Sequence, residues 1–341
     1  VSELLQESLR HLQAGELMSG DEAESAFLAI MQGEATSAQI GALLMGLSIR
    51  GETPDIVAGA ARAMRAAATH IHPRSKGLLD TCGTGGDGAA TFNISTAVAM
   101  VVAACGQKVA KHGNRAISSR SGSADVLEAL GVNIQLTPDQ VADCVDQVGI
   151  GFMFAPGHHP AMKHAAGPRR ELGVRSIFNL LGPLTNPANA DYQVLGVFAA
   201  DKLELMASAL RQLGIKRALV VHGRDGLDEI STTGVTDAIW VEQGQIMRQF
   251  EIDPAAFGMP LAETEQLSGG DAQHNADILR RIFAGQAGPA RDIVTLNAAA
   301  ALWVCGKAEG IPQGLGMAAA ALDAGKAAQT LQALIDFSQK T

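Results

Sequence analysis

Leu78-Leu79-Asp80-Thr81-Cys82-Gly83-Thr84-Gly85-Gly86-Asp87-Gly88 runs from a short apolar stretch straight into four glycines within six positions. Residues 78–81 have the length and character of a buried strand, and helical periodicity resumes from about Ser95. A strand that opens through a glycine-rich turn into a helix is the repeating unit of an α/β sheet. Further strands are expected at 108–111, 151–155, 193–198 and 218–222, with helices between them, one starting near Ser123. The alternation predicts a central, mostly parallel sheet flanked by helices. Residues 236–252, with Gly244 near the middle, read as a hairpin. The last roughly 60 residues read as helices packed on the sheet.

Upstream of the decisive stretch the pattern is helical and strands are lacking. Ser19 with Glu22 and Thr36 with Gln39 fit capping boxes, and Thr53-Pro54 sets an N-cap before a proline at the first helical position. Four N-terminal helices follow from these signals. The polar, turn-forming run at 71–77 separates the two patterns. The chain therefore divides into a helical domain at 1–70, a hinge at 71–77 and an α/β domain at 78–341, with part of 160–192 packing back on the helical domain.

With 341 residues, 47% of them hydrophobic, there is ample material for a sizeable core. Only 10 Phe, 2 Trp and 1 Tyr are available, so that core must be built from Ala, Leu, Val and Gly in close-packed helices. Lys and Arg total 26 against 35 Asp and Glu, and the net charge of -9 would repel a polyphosphate backbone. Nucleic acid is not an expected partner. Four scattered cysteines lack both metal-ligand spacing and disulfide density, which points to a reducing cytoplasm. No apolar run reaches the roughly 18 residues of a membrane span, so no membrane partner is expected.

Four segments carry chemistry. The backbone N–H groups of the Gly83–Gly88 turn can converge on an anion, aided by the dipole of the following helix. By composition alone this turn fits either an anion cradle or a purely structural bend. It matches neither the dinucleotide fingerprint nor the Walker lysine loop. The second segment, residues 111–123, supplies three cations, one histidine and four hydroxyls beyond the next strand, where loops of a parallel sheet gather around ligands. The third, residues 157–173, clusters His158, His159, His164, Arg169 and Arg170. Its histidine spacing is not that of a zinc motif, and its arginines favour a carboxylate ligand. The fourth, Asp228-Glu229, follows an apolar strand; such a pair either holds Mg²⁺ beside phosphate oxygens or is simply solvated.

Taken together, these segments resemble the anthranilate phosphoribosyltransferase family. The likeness runs from the N-terminal helices to the C-terminus. Its most specific parts are the Gly83 loop with Asn93-Ile94-Ser95-Thr96, then Lys111-His112-Gly113-Asn114, then Arg169 with Asn179-Leu180-Leu181-Gly182-Pro183-Leu184-Thr185-Asn186-Pro187, and Asp228-Glu229. The resemblance implies transfer of phosphoribosyl from 5-phosphoribosyl 1-diphosphate to anthranilate, in tryptophan biosynthesis, by a homodimer formed through the helical domain.

Carried over position by position, the resemblance implies that Gly83, Gly86, Asp87, Thr91, Asn93, Ile94, Ser95 and Thr96 bind the phosphoribosyl donor. Lys111, His112, Gly113, Asn114, Arg115, Ala116, Ile117, Ser118, Ser119 and Ser123 join them. Gly83, Asn114, His159, Arg169, Gly182 and Pro183 would contact anthranilate. Ser95, Asp228 and Glu229 would hold Mg²⁺. The family's alignment to Gly182 favours Arg169 over Arg170 as the carboxylate contact, and no dedicated catalytic acid or base is implied. Two rival readings stand beside this one: a pyrimidine nucleoside phosphorylase of the same fold, and a non-catalytic relative that binds a ligand or nucleic acid.

Overall fold

The structure is a computed structural model, and it describes residues 2–116 and 120–340. Four helices come first: α1 (Glu3–Ala14), α2 (Gly20–Met31), α3 (Ser37–Arg50) and α4 (Pro54–Ala66). Thr36 and Gln39 form the reciprocal capping box, and Thr53 caps α4 ahead of Pro54. At α2 only half of the expected box exists. Ser19 accepts the Glu22 N–H at 3.2 Å, but the Glu22 carboxylate turns away to His11 Nδ1 at 3.0 Å. A tertiary partner has outcompeted the local one.

The remaining elements alternate: β1 (Leu79–Gly83), α5 (Ile94–Ala104), β2 (Val109–Gly113), α6 (Ser123–Leu130), α7 (Pro138–Gln147), β3 (Ile150–Phe154), α8 (Ala155–His158), α9 (Lys163–Leu172), α10 (Phe178–Leu181), β4 (Tyr192–Gly196), α11 (Lys202–Gln212) and β5 (Arg217–Gly223). A hairpin, β6 (Thr236–Glu242) and β7 (Gln245–Ile252), turns at Gln243-Gly244, both at positive φ. Four helices close the chain: α12 (Ala272–Phe283), α13 (Pro289–Val304), α14 (Ile311–Asp323) and α15 (Lys326–Lys340).

The strands form one sheet in the order β3-β2-β1-β4-β5-β6-β7, parallel from β3 through β5 and antiparallel at β6 and β7. Strand order reverses direction at β1, whose neighbours are β2 and β4. Crevices beyond strand C-termini at such a switch point are where open α/β sheets bind ligands. The β1 and β2 C-termini lead directly into the two loops singled out from the sequence.

Two cores flank the sheet. One gathers α5, α6, α12, α13, α14 and α15, with Val101, Val102 and Ala103 of α5 buried among alanines of α13. The other joins α1–α4 to α11 and includes Ala165, Ile177, Phe178, Leu180, Leu181 and Leu184. The helical N-terminus and the opposite face of the sheet thus share one apolar interior, to which Ala165, Ile177, Phe178, Leu180, Leu181 and Leu184 contribute. Small side chains make this possible: a Cβ on Gly59 of α4 would collide with the Gly20 carbonyl of α2. Among the described residues no helix is long and apolar enough to cross a membrane.

Candidate active site

The floor of the site is the end of β1. Gly83 pairs with Gly196 of β4, and Thr84 donates its N–H to the Gly196 carbonyl at 2.9 Å. Both glycines are required by what lies above them. A Cβ on Gly83 would collide with the Asp228 carboxylate, and one on Gly196 would collide with the Asp228 backbone carbonyl. The loop then runs through Gly85, Gly86 and Gly88 at φ of +68°, +74° and +75°, a left-handed region that L side chains resist. Gly85 donates its N–H to Asp228 Oδ2 at 2.7 Å.

Asp228 and Glu229 are half-buried and lie close to Asp87. Burial first, and then the neighbouring Asp87 carboxylate, raise the Asp228 pKa to about 7. Glu229 is pushed well above its ordinary value by burial and by Asp228, with Lys111 opposing. Three carboxylates crowded together this way lack positive charge. The Lys111 ammonium answers part of the deficit, yet it is anchored on the Thr81 carbonyl and donates to Ser95 Oγ at 3.2 Å.

Ser95 sits in the first turn of α5. The N-cap Asn93 makes no capping bond because its side chain is committed elsewhere, donating to the Ser121 carbonyl at 3.0 Å and accepting from Asn275 Nδ2 at 2.9 Å. Backbone and carboxylate acceptors meet the first turn of α5 instead: the Ile94 N–H donates to the Phe92 carbonyl at 2.8 Å, and the Ser95 N–H bonds the Glu229 carboxylate. Ile94 and Thr96 are buried, and Thr91 pairs with Ser268 in an isolated bridge.

The second loop is braced from beneath. Asp80, fully buried, accepts from the His112 N–H at 3.3 Å and from Asn186 Nδ2 at 2.7 Å, while Asn186 also donates to the Ala110 carbonyl at 2.9 Å. Gly113 leaves no room for a side chain against Ser123 Oγ and Phe152. The Asn114 carbonyl accepts from Ala124 N–H at 3.1 Å and from Ser123 Oγ at 3.3 Å. Arg115 lies over the Phe154 ring at 5.5 Å and pairs with Asp125 at 3.0 Å and with Glu128, so its charge already has partners on α6. Ala116 donates its N–H to Asp125 at 2.9 Å. Ile117, Ser118 and Ser119 lie outside the described residues.

The His159 ring lies against His112 in a tilted contact, ring centroids 5.0 Å apart and planes at 54°. His112 bonds the Gly182 backbone and His159 that of Thr185, so the loop from 182 to 185 ties the two rings together. Burial lowers both pKa values, that of His159 to about 4. Each ring is thus a neutral imidazole at pH 7, and the Nε2 of each is buried with no hydrogen-bond partner among the described residues. Such orphaned polar atoms are costly unless a ligand or water meets them. Pro183 is buried, and its carbonyl accepts from Gln193 Nε2 at 2.6 Å.

Arg169 lies 4.9 Å over the Phe178 ring, and partial burial lowers its pKa. No carboxylate pairs with it among the described residues. Arg170 is exposed. The other histidines disperse: His158 Nδ1 meets the Thr69 carbonyl at 2.8 Å, and His164 abuts Gly33 of the helical part.

Residues 75–328 match the glycosyl transferase family a/b domain, and residues 6–68 match the glycosyl transferase family helical bundle domain. The chain is 53% identical to an anthranilate phosphoribosyltransferase of Acetivibrio thermocellus, over 98% of this chain and 97% of that protein. The chain belongs to the anthranilate phosphoribosyltransferase family. Among solved structures, the Thermus thermophilus anthranilate phosphoribosyltransferase superposes with a TM-score of 0.92 at 44% identity, over 97% of this chain and 99% of that one. The Saccharomyces cerevisiae anthranilate phosphoribosyltransferase in complex with PRPP and Mg matches with a TM-score of 0.92 at 26% identity, over 100% of this chain and 99% of that one.

As a member of the anthranilate phosphoribosyltransferase family, the chain is an enzyme of glycosyl transfer, and its donor set can be tested for Mg²⁺. Asp228, Glu229 and Ser95 offer only oxygen, which suits a hard cation. The negative charge that Lys111 leaves uncompensated is what such a cation would neutralise. No group of three or more His, Cys, Asp and Glu among the described residues is arranged as a metal cage.

Several supporting residues escaped the sequence reading. Asp80 and Asn186 stood inside quoted motifs, but nothing in their spacing said that they meet. Gln193, Asn275 and Arg175 carried no signal, since each acts through a partner far along the chain.

Proposed function

We propose that this chain transfers the 5-phosphoribosyl group of 5-phosphoribosyl 1-diphosphate to the amine of anthranilate, releasing diphosphate, in tryptophan biosynthesis. The observation that carries the reading is the apposition of Gly83, Gly85 and Asp228 beside Lys111 and Ser95 in the first turn of α5. In the reaction the C1–O bond breaks toward the diphosphate, C1–N forms, and the amine proton leaves. Positive charge grows on the ribose and negative charge on the diphosphate, so donors around the diphosphate lower the barrier.

Backbone N–H groups of the Gly83–Gly88 loop and α5, with Asn93, Thr91 and Lys111, would hold the donor. The loop at 111–123 would hold its other end. Ser95, Asp228 and Glu229 would hold Mg²⁺, which when bound supplies charge neutralisation for the departing diphosphate. Arg169 would fork onto the anthranilate carboxylate, with Gly83, Asn114, His159, Gly182 and Pro183 lining its place. Anthranilate's amine is already unprotonated at neutral pH, so positioning carries much of the rate. The neutral rings of His112 and His159 place no extra cation beside the developing positive charge.

The same reading assigns helical residues 1–70 to a homodimer contact, residues 71–77 to a hinge, and the protein to the cytoplasm, with neither nucleic acid nor membrane as partner. The test is loss of anthranilate fluorescence on mixing both substrates with Mg²⁺. Turnover that requires all three is expected. Phosphorolysis of uridine or thymidine without anthranilate turnover would overturn the reading.

A further inference from the structure

At the tip of the glycine loop Gly85, Gly86 and Gly88 all lie in the left-handed region, which side-chain-bearing residues resist. Its root is fixed by the Thr84 and Gly85 hydrogen bonds already described. At the tip a side chain from elsewhere takes over: Arg175 Nη2 donates to the Gly86 carbonyl. The Arg175 guanidinium lies over the Phe198 ring at 4.3 Å, and the Phe198 N–H donates to Thr84 Oγ1 at 3.1 Å. Arg175 and its aromatic platform thus grip the loop at two points. A Cβ on Gly86 would come within 3.0 Å of Arg175 Nη2, so the contact also depends on glycine at that position.

Arg175 lies in the connection between α9 and α10. Immediately after it, Ser176, Ile177 and Phe178 are buried, the last two in the core shared with α1–α4. Arg175 and Ser176 also border a cleft of about 170 Å³ whose other wall is Ser48 and Glu52, at the end of α3 and before α4. The segment carrying Arg175 is therefore seated on the helical module, while its guanidinium reaches the loop of the sheet. Among the described residues no carboxylate pairs with it, although the loop itself carries Asp87 against Asp228 and Glu229.

We propose that Arg175 is a positioning residue for the phosphoribosyl donor, locking the glycine loop to the segment packed on the helical module and leaving an unpaired cation at the loop's edge. Only the donor side of the reaction depends on that loop tip, so the effect is selective. The inference rests on the proposed transferase reading and extends it to a residue outside the donor-binding loops.

The test compares Arg175→Ala and Arg175→Lys in the full chain. For Arg175→Ala, KM for 5-phosphoribosyl 1-diphosphate rises about tenfold or more, as loss of a charge-assisted hydrogen bond implies. KM for anthranilate stays within about twofold and the ligand-free thermal midpoint is unchanged. Arg175→Lys recovers part of the loss, because it keeps charge and one donor but not the flat stack. Without any substrate, amide hydrogen exchange over residues 84–88 speeds up in Arg175→Ala. An unaltered donor KM with unaltered exchange overturns the proposal, as does an equal rise in both KM values with a lowered thermal midpoint. Inactivity of the wild-type chain would instead overturn the transferase reading, and exchange over 84–88 would still decide the role of Arg175.

Discussion

Asp228 Oδ2 accepts the Gly85 N–H at 2.7 Å, joining the loop after β1 to the loop after β5 across 143 positions of chain. On the proposed reading one carboxylate has two duties, holding the glycine loop and offering charge to a cation. Asn at 228 separates them, because its amide oxygen still accepts from Gly85 while the charge is gone. In Asp228→Asn the Mg²⁺ concentration for half-maximal rate rises on the order of tenfold or more. The metal-free thermal midpoint does not fall, since repulsion from Asp87 and Glu229 is relieved. A Mg²⁺ titration identical to wild type removes Asp228 from the metal site.

Gly83 and Gly196 face the same residue but meet different parts of it. Gly196→Ala drives a methyl into the Asp228 backbone, which has no rotamer to escape by, and costs about 3 kcal/mol of stability along with activity. Gly83→Ala collides mainly with the carboxylate, which can swing aside, and comes no nearer than 3.2 Å to the Asp228 backbone carbonyl. That swing misplaces the donor-side groups, so the rate falls roughly 100-fold while stability changes little. Urea unfolding and initial rates on both variants check the contrast; equal destabilisation by the two removes it.

His159 is buried and neutral, with a pKa near 4 against 6.5 when unfolded. Between those values the unfolded chain binds a proton that the folded chain does not, so folding stability falls as pH drops from about 6.5 toward 4. From pH 7 to pH 5 this single ring accounts for about 2 kcal/mol of lost stability. His159→Gln loses less stability than wild type over that interval by about this amount. Denaturant melts at both pH values measure it, and parallel losses in the two proteins refute it.

Arg169 and Arg170 are neighbours in sequence but not in environment. The first is held over Phe178 and partly buried, whereas the second is exposed. Arg169→Ala should raise KM for anthranilate by the equivalent of about 2 kcal/mol, and Arg170→Ala should leave it nearly unchanged. Steady-state kinetics in anthranilate decide, and the reverse ranking moves the carboxylate contact to Arg170.

The elements were legible because their determinants are local. Glycine after an apolar run, Thr-Pro at 53–54 and the continuous apolar run of α5 specify backbone conformation within a few residues of themselves. Glycines at 85, 86 and 88 likewise permit the left-handed backbone found there, which other residues resist. What the sequence by itself determined was therefore the α/β pattern, the helical N-terminus and the set of loops bearing chemistry. Glu22 marks the limit of local reasoning, because an imidazole eleven residues away won its carboxylate from the helix cap.

Only the tertiary structure decided who meets whom. Asp80 finds Asn186 across 106 positions, His112 lies against His159, and Arg115 pairs with Asp125 and Glu128 of α6. Burial raises Asp228 and lowers His159 by removing water, and neither shift has any trace in residue type or spacing. Strand order sets all of these contacts, because the reversal at β1 brings the ends of β1, β2, β4 and β5 to one edge of the sheet, and pairing across a sheet follows side-chain packing between strands far apart in the chain.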